Sequence, residues 1–277
     1  MTTDAPAKAL PSGALIPKIG LGVFQSAPGE ETYQAVLSAL KLGYRHIDTA
    51  QCYQNEDDVG RAVKDSGIPR SEVFITTKLW LSNWGYEKAI KATKVSIDRL
   101  GGSYIDLMLL HAPGDKKLRA ETWRALEELH AQGLLRDIGV SNFGEAHLKK
   151  LGETAKVAPC VNQIELHPWL MRSDLVAYCS QHGVLLEAYS PLARAERLYD
   201  PVVGSIATQL NATPAQVLIA WSLAKGFITL PKSVNPERQR QNLESAKLQL
   251  TADQISRLDA LDRYMVTAWD PIKDHEV

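Results

Sequence analysis

Cysteine is scarce and badly placed for cross-linking: Cys52, Cys160 and Cys179 are all that 277 residues contain. An odd number at scattered positions fits a reducing compartment better than a disulfide framework and lacks the spacing of a metal site. Apolar runs of about 18 residues are absent, so no membrane-spanning helix is expected. Neither sign of charge dominates, since 31 basic and 32 acidic residues leave a formal charge of −1 spread along the chain. That balance gives no electrostatic case for nucleic acid or anionic lipid, and small-molecule partners are expected instead. The opening MTTDAPAKAL has neither the basic start nor the continuous apolar stretch of a signal peptide, so a soluble, cytoplasmic protein is expected. No low-complexity linker interrupts the chain, and a 45% hydrophobic content supports one large core. Residues 1–277 are therefore expected to form a single domain, working as a monomer.

What the chain does have is a rhythm. Short apolar runs ending in polar residues recur every roughly 20–40 residues, with amphipathic stretches between them, as repeated βα units require. Eight such runs are Ile19–Gly22, His46–Asp48, Val73–Lys78, Ile105–His111, Asp137–Val140, Val161–Ile164, Val184–Tyr189 and Phe227–Pro231. Between them, Glu31–Leu42 carries Ala35, Val36, Ala39 and Leu40 at helical spacing, and Leu118–Gln132 carries Leu118, Trp123, Leu126 and Leu129. Ser12-Gly13 is a turn dipeptide inside KALPSGALIP and predicts a hairpin plugging the N-terminal end of a barrel. Thr251 caps ADQISRLDALD and predicts an extra C-terminal helix. The expected fold is α/β, a (β/α)8 TIM barrel with an N-terminal hairpin and that extra helix. Its chemistry would sit at the C-terminal ends of the strands.

The run ends become informative on that expectation. In GYRHIDTAQCYQNED, Asp48 ends the second run and Tyr53 lies in the loop beyond it; Lys78 ends the third run and His111 the fourth. Singly, each has an ordinary explanation: a helix cap, loop packing, a solvated strand end, a satisfied core histidine. Together, an acid, a cation and a phenol in one apolar mouth shift each other's proton affinity. The ammonium favours phenolate and is expected to lower the Tyr53 pKa, while the carboxylate keeps the ammonium charged. A tyrosine so tuned can protonate a developing alkoxide while a histidine orients the carbonyl, which suggests carbonyl reduction.

Three longer motifs complete the pattern: GYRHIDTAQCYQNEDDVG (Gly43–Gly60), LLRDIGVSNF (Leu134–Phe143) and LPKSVNPERQRQN (Leu230–Asn242). With TTKLW (Thr76–Trp80) and LLH (Leu109–His111), they make the chain resemble an aldo-keto reductase of short-loop type over nearly its whole length. The resemblance implies a catalytic tetrad of Asp48, Tyr53, Lys78 and His111, with Tyr53 as general acid. It also implies NADPH/NADP+ lying extended across the barrel mouth, and no run here is followed by the G-x-G-x-x-G turn of a Rossmann fold. Gly22, Val23 and Asp48 are assigned to the coenzyme on this basis. Ser141, Asn142 and Gln163 match residues that bond the nicotinamide carboxamide, and Tyr189 matches the ring that stacks on it. The Ser141-Asn142 pair also reads as an N-cap ahead of a helix over Glu145–Leu151.

In YSPLAR, Ser190, Leu192 and Arg194 correspond to a segment that folds over the pyrophosphate, with Ala193 replacing a common glycine. Lys232, Ser233, Val234, Asn235 and Arg238 gather cations and donors where the last strand meets a helix start, a natural phosphate site. The resemblance gives them the adenosine ribose phosphate, and Lys232 with Arg238 favours NADPH over NADH. Gln241 departs from the usual glutamate, and Asn242 keeps the asparagine that meets adenine. Phe24, Trp80, His111 and Trp169 are the implied substrate contacts. Phe24 and Ala112 stand where tryptophan is frequent, so a wider pocket is expected. The short loop HAPGDKKLRAETW and the compact tail TAWDPIKDHEV point to small ketoesters, diketones and aldehydes. Trp269 in that tail can fold over the mouth or pack on the barrel wall. Two other readings stand beside this one: a Schiff-base lyase with Lys78 as nucleophile, and an NADPH-binding redox-sensing regulatory subunit with little turnover. Cys52 receives no assignment.

Overall fold

A computed structural model describes residues 7–267, 269–274 and 276–277. Segment 1–6, read above as part of the opening stretch, and tail residues Ala268 and His275 lie outside the described residues. A hairpin comes first, with β1 (Ala7–Ala9) antiparallel to β2 (Leu15–Pro17). Gly13 supplies the φ of 86° that its turn requires. Eight parallel strands follow. They are β3 (Leu21–Gly22), β4 (His46–Asp48), β5 (Phe74–Leu79), β6 (Ile105–Leu110), β7 (Leu135–Ser141), β8 (Val161–Glu165), β9 (Leu185–Tyr189) and β10 (Ile228–Leu230). Each neighbours the next in chain order, and parallel bridges from Ile19 to Thr229 and from Gly22 to Lys232 close the barrel. Every predicted run meets its strand to within two residues. All six residues of β6, IDLMLL, are buried, because a parallel barrel strand is covered on both faces.

Helices α1 (Glu30–Leu42), α2 (Glu56–Asp65), α3 (Tyr86–Arg99), α4 (Lys116–Ala131), α5 (Glu145–Gly152) and α6 (Ser173–Gln181) fill successive gaps, one each. The last gap departs from the rhythm and holds two, α7 (Pro201–Gln209) and α8 (Pro214–Ala224). Both start on a proline behind a capping side chain: Asp200 accepts from Val202 N, and Thr213 from Gln216 N. After β10 come α9 (Pro236–Glu244), the expected extra helix α10 (Ala252–Asp259) behind its Thr251 cap, and the short α11 (Pro271–Asp274).

The hairpin closes the bottom of the barrel. Leu10 and Ile16 pack with Phe74, Leu107, Leu109, Cys160, Val161 and Ile228 in an apolar cluster, each of the two aliphatic side chains contributing roughly 1.5–3 kcal/mol. Ser12 fixes the turn by donating from its backbone N (3.2 Å) and its hydroxyl to Asp137 of β7. The C-terminal mouth is left as the open end.

Candidate active site

At that mouth, Asp48 is the last residue of β4, and Lys78 lies on neighbouring β5. Beyond β4 a single 3-10 turn, Gln51–Tyr53, brings Tyr53 back over the strand end. Asn55 holds this loop. It accepts from Thr49 Oγ1 (2.8 Å) and donates through Nδ2 to Val23 O (3.1 Å), so the second strand's loop is tied to the first strand's end. The Lys78 ammonium then meets Asp48 Oδ1 and Oδ2 at 2.7 and 2.8 Å, Thr49 O at 2.9 Å and the Tyr53 hydroxyl at 3.4 Å. His111, just past β6, completes the group with its ring edge-on to Tyr53, centroids 5.8 Å apart. Trp80 packs edge-on to His111 at 5.0 Å, and Phe24 tilts over Tyr53 at 5.0 Å, half exposed.

Burial disfavours the Lys78 ammonium, yet Asp48 and then Tyr53 reverse this and hold its pKa above the ordinary lysine value. Burial likewise pushes the Asp48 carboxyl up, against the Lys78 charge and hydrogen bonds from Lys78 and Gln163. For Tyr53 the structure corrects the sequence expectation. Desolvation outweighs the Lys78 charge and raises the phenol to about 12 rather than lowering it. The hydroxyl is therefore a loaded donor at neutral pH. Burial, then the Lys78 charge, keeps His111 well below its ordinary value, so its neutral ring offers one N–H and one lone pair. Such a set can hand a proton to a developing oxyanion and hydrogen-bond the same oxygen.

Trp169 does not join this group. The chain turns back at the His167–Leu170 bridge and sends the indole into the main apolar core, against His167, while Met265 N donates to the Trp169 carbonyl at 2.8 Å. The tail above it is pinned by Thr267, whose hydroxyl and N both donate to Glu165 at the end of β8. Trp269, two residues on, is 40% exposed.

A comparison of the sequence with protein families matches residues 18–263 to the Aldo/keto reductase family. The chain belongs to that family. Among curated relatives, it is 44% identical to a 9,11-endoperoxide prostaglandin H2 reductase of Trypanosoma cruzi (strain CL Brener) over 259 residues, covering 92% of this chain and 91% of the relative. It is 42% identical to a glyoxal reductase of Bacillus subtilis (strain 168) over 254 residues, 92% of each chain. Of solved structures, the Bombyx mori aldo-keto reductase in complex with NADP superposes with a TM-score of 0.90 at 32% identity, covering 95% of this chain and 94% of that one.

In this aldo/keto reductase the residues expected to hold a coenzyme form a continuous edge. Ser141 Oγ donates to Gln163 O (2.8 Å), Asn142 Nδ2 to His111 O (3.0 Å), and the Tyr189 hydroxyl to Asn142 Oδ1 (2.9 Å). The pair SN does not cap α5, because Gly144 holds that position; Ser141 ends β7 and Asn142 takes a φ of 65°. Gly22 leaves its strand end narrow enough for the Leu230 carbonyl to sit 3.3 Å from where a Cβ would be. Across the mouth, Arg194 reaches from the β9 loop to Gln25 Oε1 at 3.2 Å, in a stretch where Ser190, Ala193, Arg194 and Ala195 all have positive φ. At the start of α9, Asn235 caps the helix by accepting from Arg238 N (3.1 Å), and Ser233 accepts from Asn235 N. Arg240 is held by Glu237 and Glu244, whereas the Lys232 and Arg238 side chains form no ion pair among the described residues. Val234 is partly exposed beside them, Gln241 bonds Glu237, and Asn242 is buried. Two uncommitted cations at a capped helix start fit a phosphate, so the edge suits a phosphorylated dinucleotide.

Four residues of this region escaped the sequence reading. His46 and Glu187 lie buried beside Asp48 and Gln163; Gln51 Oε1 accepts from Trp80 N (3.0 Å) and so seats the Trp80 loop. Cys52 Sγ lies 3.6 Å from His111 Nδ1, and burial pushes its thiol up to about 11. An acid inside the apolar run VLLEAY was the available signal for Glu187.

Proposed function

We propose that this protein reduces aldehyde and ketone carbonyls of small molecules with NADPH, ketoesters, diketones and aldehydes being its substrates and Tyr53 its general acid. The observation that carries this reading is a Lys78 ammonium 3.4 Å from the Tyr53 hydroxyl and fixed there by both oxygens of Asp48. Ser141, Asn142, Gln163 and Tyr189 would hold the nicotinamide end, and Lys232 with Arg238 the phosphate that distinguishes NADPH. Bound there, the coenzyme supplies a hydride, two electrons with one proton, to the carbonyl carbon. Tyr53 gives its own proton to the carbonyl oxygen as charge gathers on it, which completes the alcohol. Lys78 lowers the cost of the phenolate left behind, and the His111 N–H orients that same oxygen. Phe24 and Trp80 form aromatic walls either side of Tyr53 and His111 and leave the mouth open. Similarity to a glyoxal reductase supports small dicarbonyls in particular.

An NADPH-consumption screen over aldehydes, ketoesters and diketones tests turnover and substrate class together. Tyr53→Phe should lower kcat by at least about 100-fold with the fold kept. Full turnover in that folded variant would remove Tyr53 from the role.

A further inference from the structure

Below the tetrad, Gln163 Nε2 donates to two carboxyls at once, Asp48 Oδ2 at 2.7 Å and Glu187 Oε2 at 2.8 Å. An amide nitrogen has two hydrogens, and both are used. Turning the amide over would set its carbonyl oxygen against two acidic groups. Gln163 Oε1 is therefore the end left for a ligand. The second Glu187 oxygen, Oε1, has no hydrogen-bond partner among the described residues and lies 3.4 Å from His46 Nε2. His46 Nδ1 is 3.2 Å from the Pro17 carbonyl, which only accepts, so Nδ1 carries the ring proton. Burial drives that ring down to about 3, which leaves Nε2 bare at neutral pH. The bare nitrogen has one lone pair, to which the Thr76 hydroxyl donates at 3.0 Å, and Glu187 Oε1, 3.4 Å away, can share it only if it carries a proton. An ionised Glu187 would face it lone pair to lone pair, and would place a second anion across one amide from Asp48.

We propose that Glu187 is a positioning residue: as a neutral acid it pins the Gln163 amide so that Gln163 Oε1 accepts from the nicotinamide carboxamide, and its ionisation loosens NADPH. This rests on the coenzyme reading above. The charged and titratable groups facing it are Asp48 and His46 from β4, Lys78 from β5 and the Cys160 thiol just before β8; β8 itself presents Gln163, and β10 places Ile228 opposite Glu187. Burial first, then the Asp48 charge, pushes Glu187 up to about 8, the same direction that the facing His46 lone pair favours.

NADPH titration by coenzyme fluorescence, from about pH 6 to about pH 10, tests this. Wild-type affinity should fall about tenfold across the ionisation of Glu187. Glu187→Gln, isosteric with the neutral acid, should bind within about threefold of wild type at neutral pH and lose that dependence. Glu187→Leu removes the acceptor and should weaken NADPH at every pH. In infrared difference spectra, wild type should show a protonated-carboxyl stretch at neutral pH that Glu187→Gln lacks. Superimposable pH profiles for wild type and Glu187→Gln, or no such stretch, would overturn the proposal. If wild type fails to bind NADPH at all, the coenzyme reading falls, and the infrared band still decides the protonation of Glu187.

Discussion

Replacing Asp48 by asparagine keeps the shape of the pocket and removes one charge, and the structure sets the size of the consequence. Lys78 is enclosed, and its ammonium has four acceptors, two of them the Asp48 oxygens. Gln163 Nε2 already donates to Oδ2, so the new amide NH2 must take the Oδ1 position, where it meets the ammonium 2.7 Å away donor to donor. Removing one partner of a buried pair costs about 3–5 kcal/mol. At about 2–4 °C per kcal/mol this lowers the unfolding temperature by roughly 10 °C at neutral pH. Lys78 relieves part of the loss by shedding its proton, because burial alone favours the neutral amine.

The pH dependence has a definite sign. In wild type the Lys78 pKa is raised by folding, so its contribution is complete below the unfolded lysine value and is lost only as pH climbs through the folded one. In Asp48→Asn the folded pKa is depressed, so over the range in which wild-type Asp48 is ionised the deficit shrinks as pH rises toward the unfolded lysine value. Thermal unfolding of both proteins across this range, with NADPH-linked turnover measured in parallel, checks the reasoning. A neutral Lys78 no longer eases phenolate formation at Tyr53, and turnover should fall by about 100-fold or more. An unchanged unfolding temperature, or a gap between the two proteins that does not narrow with rising pH, would refute it.

Arg238→Ala should weaken NADPH about 100-fold and leave NADH within about threefold, since only the former carries the extra phosphate; equal losses in a binding titration would remove the basis for coenzyme preference. Gly60→Ala would place a Cβ 2.0 Å from the Arg99 carbonyl at the end of α3, main chain that no rotamer change can relieve. It should cost about 3 kcal/mol, read as a lower denaturant midpoint, and an unchanged midpoint would mean that α2 and α3 are not held at this spacing.

Strand ends were legible because a parallel barrel demands apolar runs and places whatever polar residue ends them at one mouth. Asp48, Tyr53, Lys78 and His111 could be grouped on that ground alone. The proton affinity of Tyr53 could not, since its sign depends on how deeply the phenol is enclosed against how near the ammonium comes, and only coordinates weigh the two. Glu187 stood in plain view inside an apolar strand, yet its setting depends on the barrel's curvature, which brings Gln163 of β8 between Glu187 of β9 and Asp48 of β4. Trp169 was misplaced by a local event, a two-residue reversal that turns an indole from the mouth to the core. α7 was hidden by the strand-helix rhythm itself, although Asp200-Pro201 marks its start.

Cys160 and Cys179 are buried, and Cys52 alone among the cysteines is partly open, next to Tyr53. Aldehydes and dicarbonyls are electrophiles, and a thiolate captures them. With its thiol pushed up to about 11, Cys52 holds almost no thiolate at neutral pH. On the proposed function, capture of an aldehyde substrate by this sulfur at the entrance is therefore slow, because the thiolate is the attacking form.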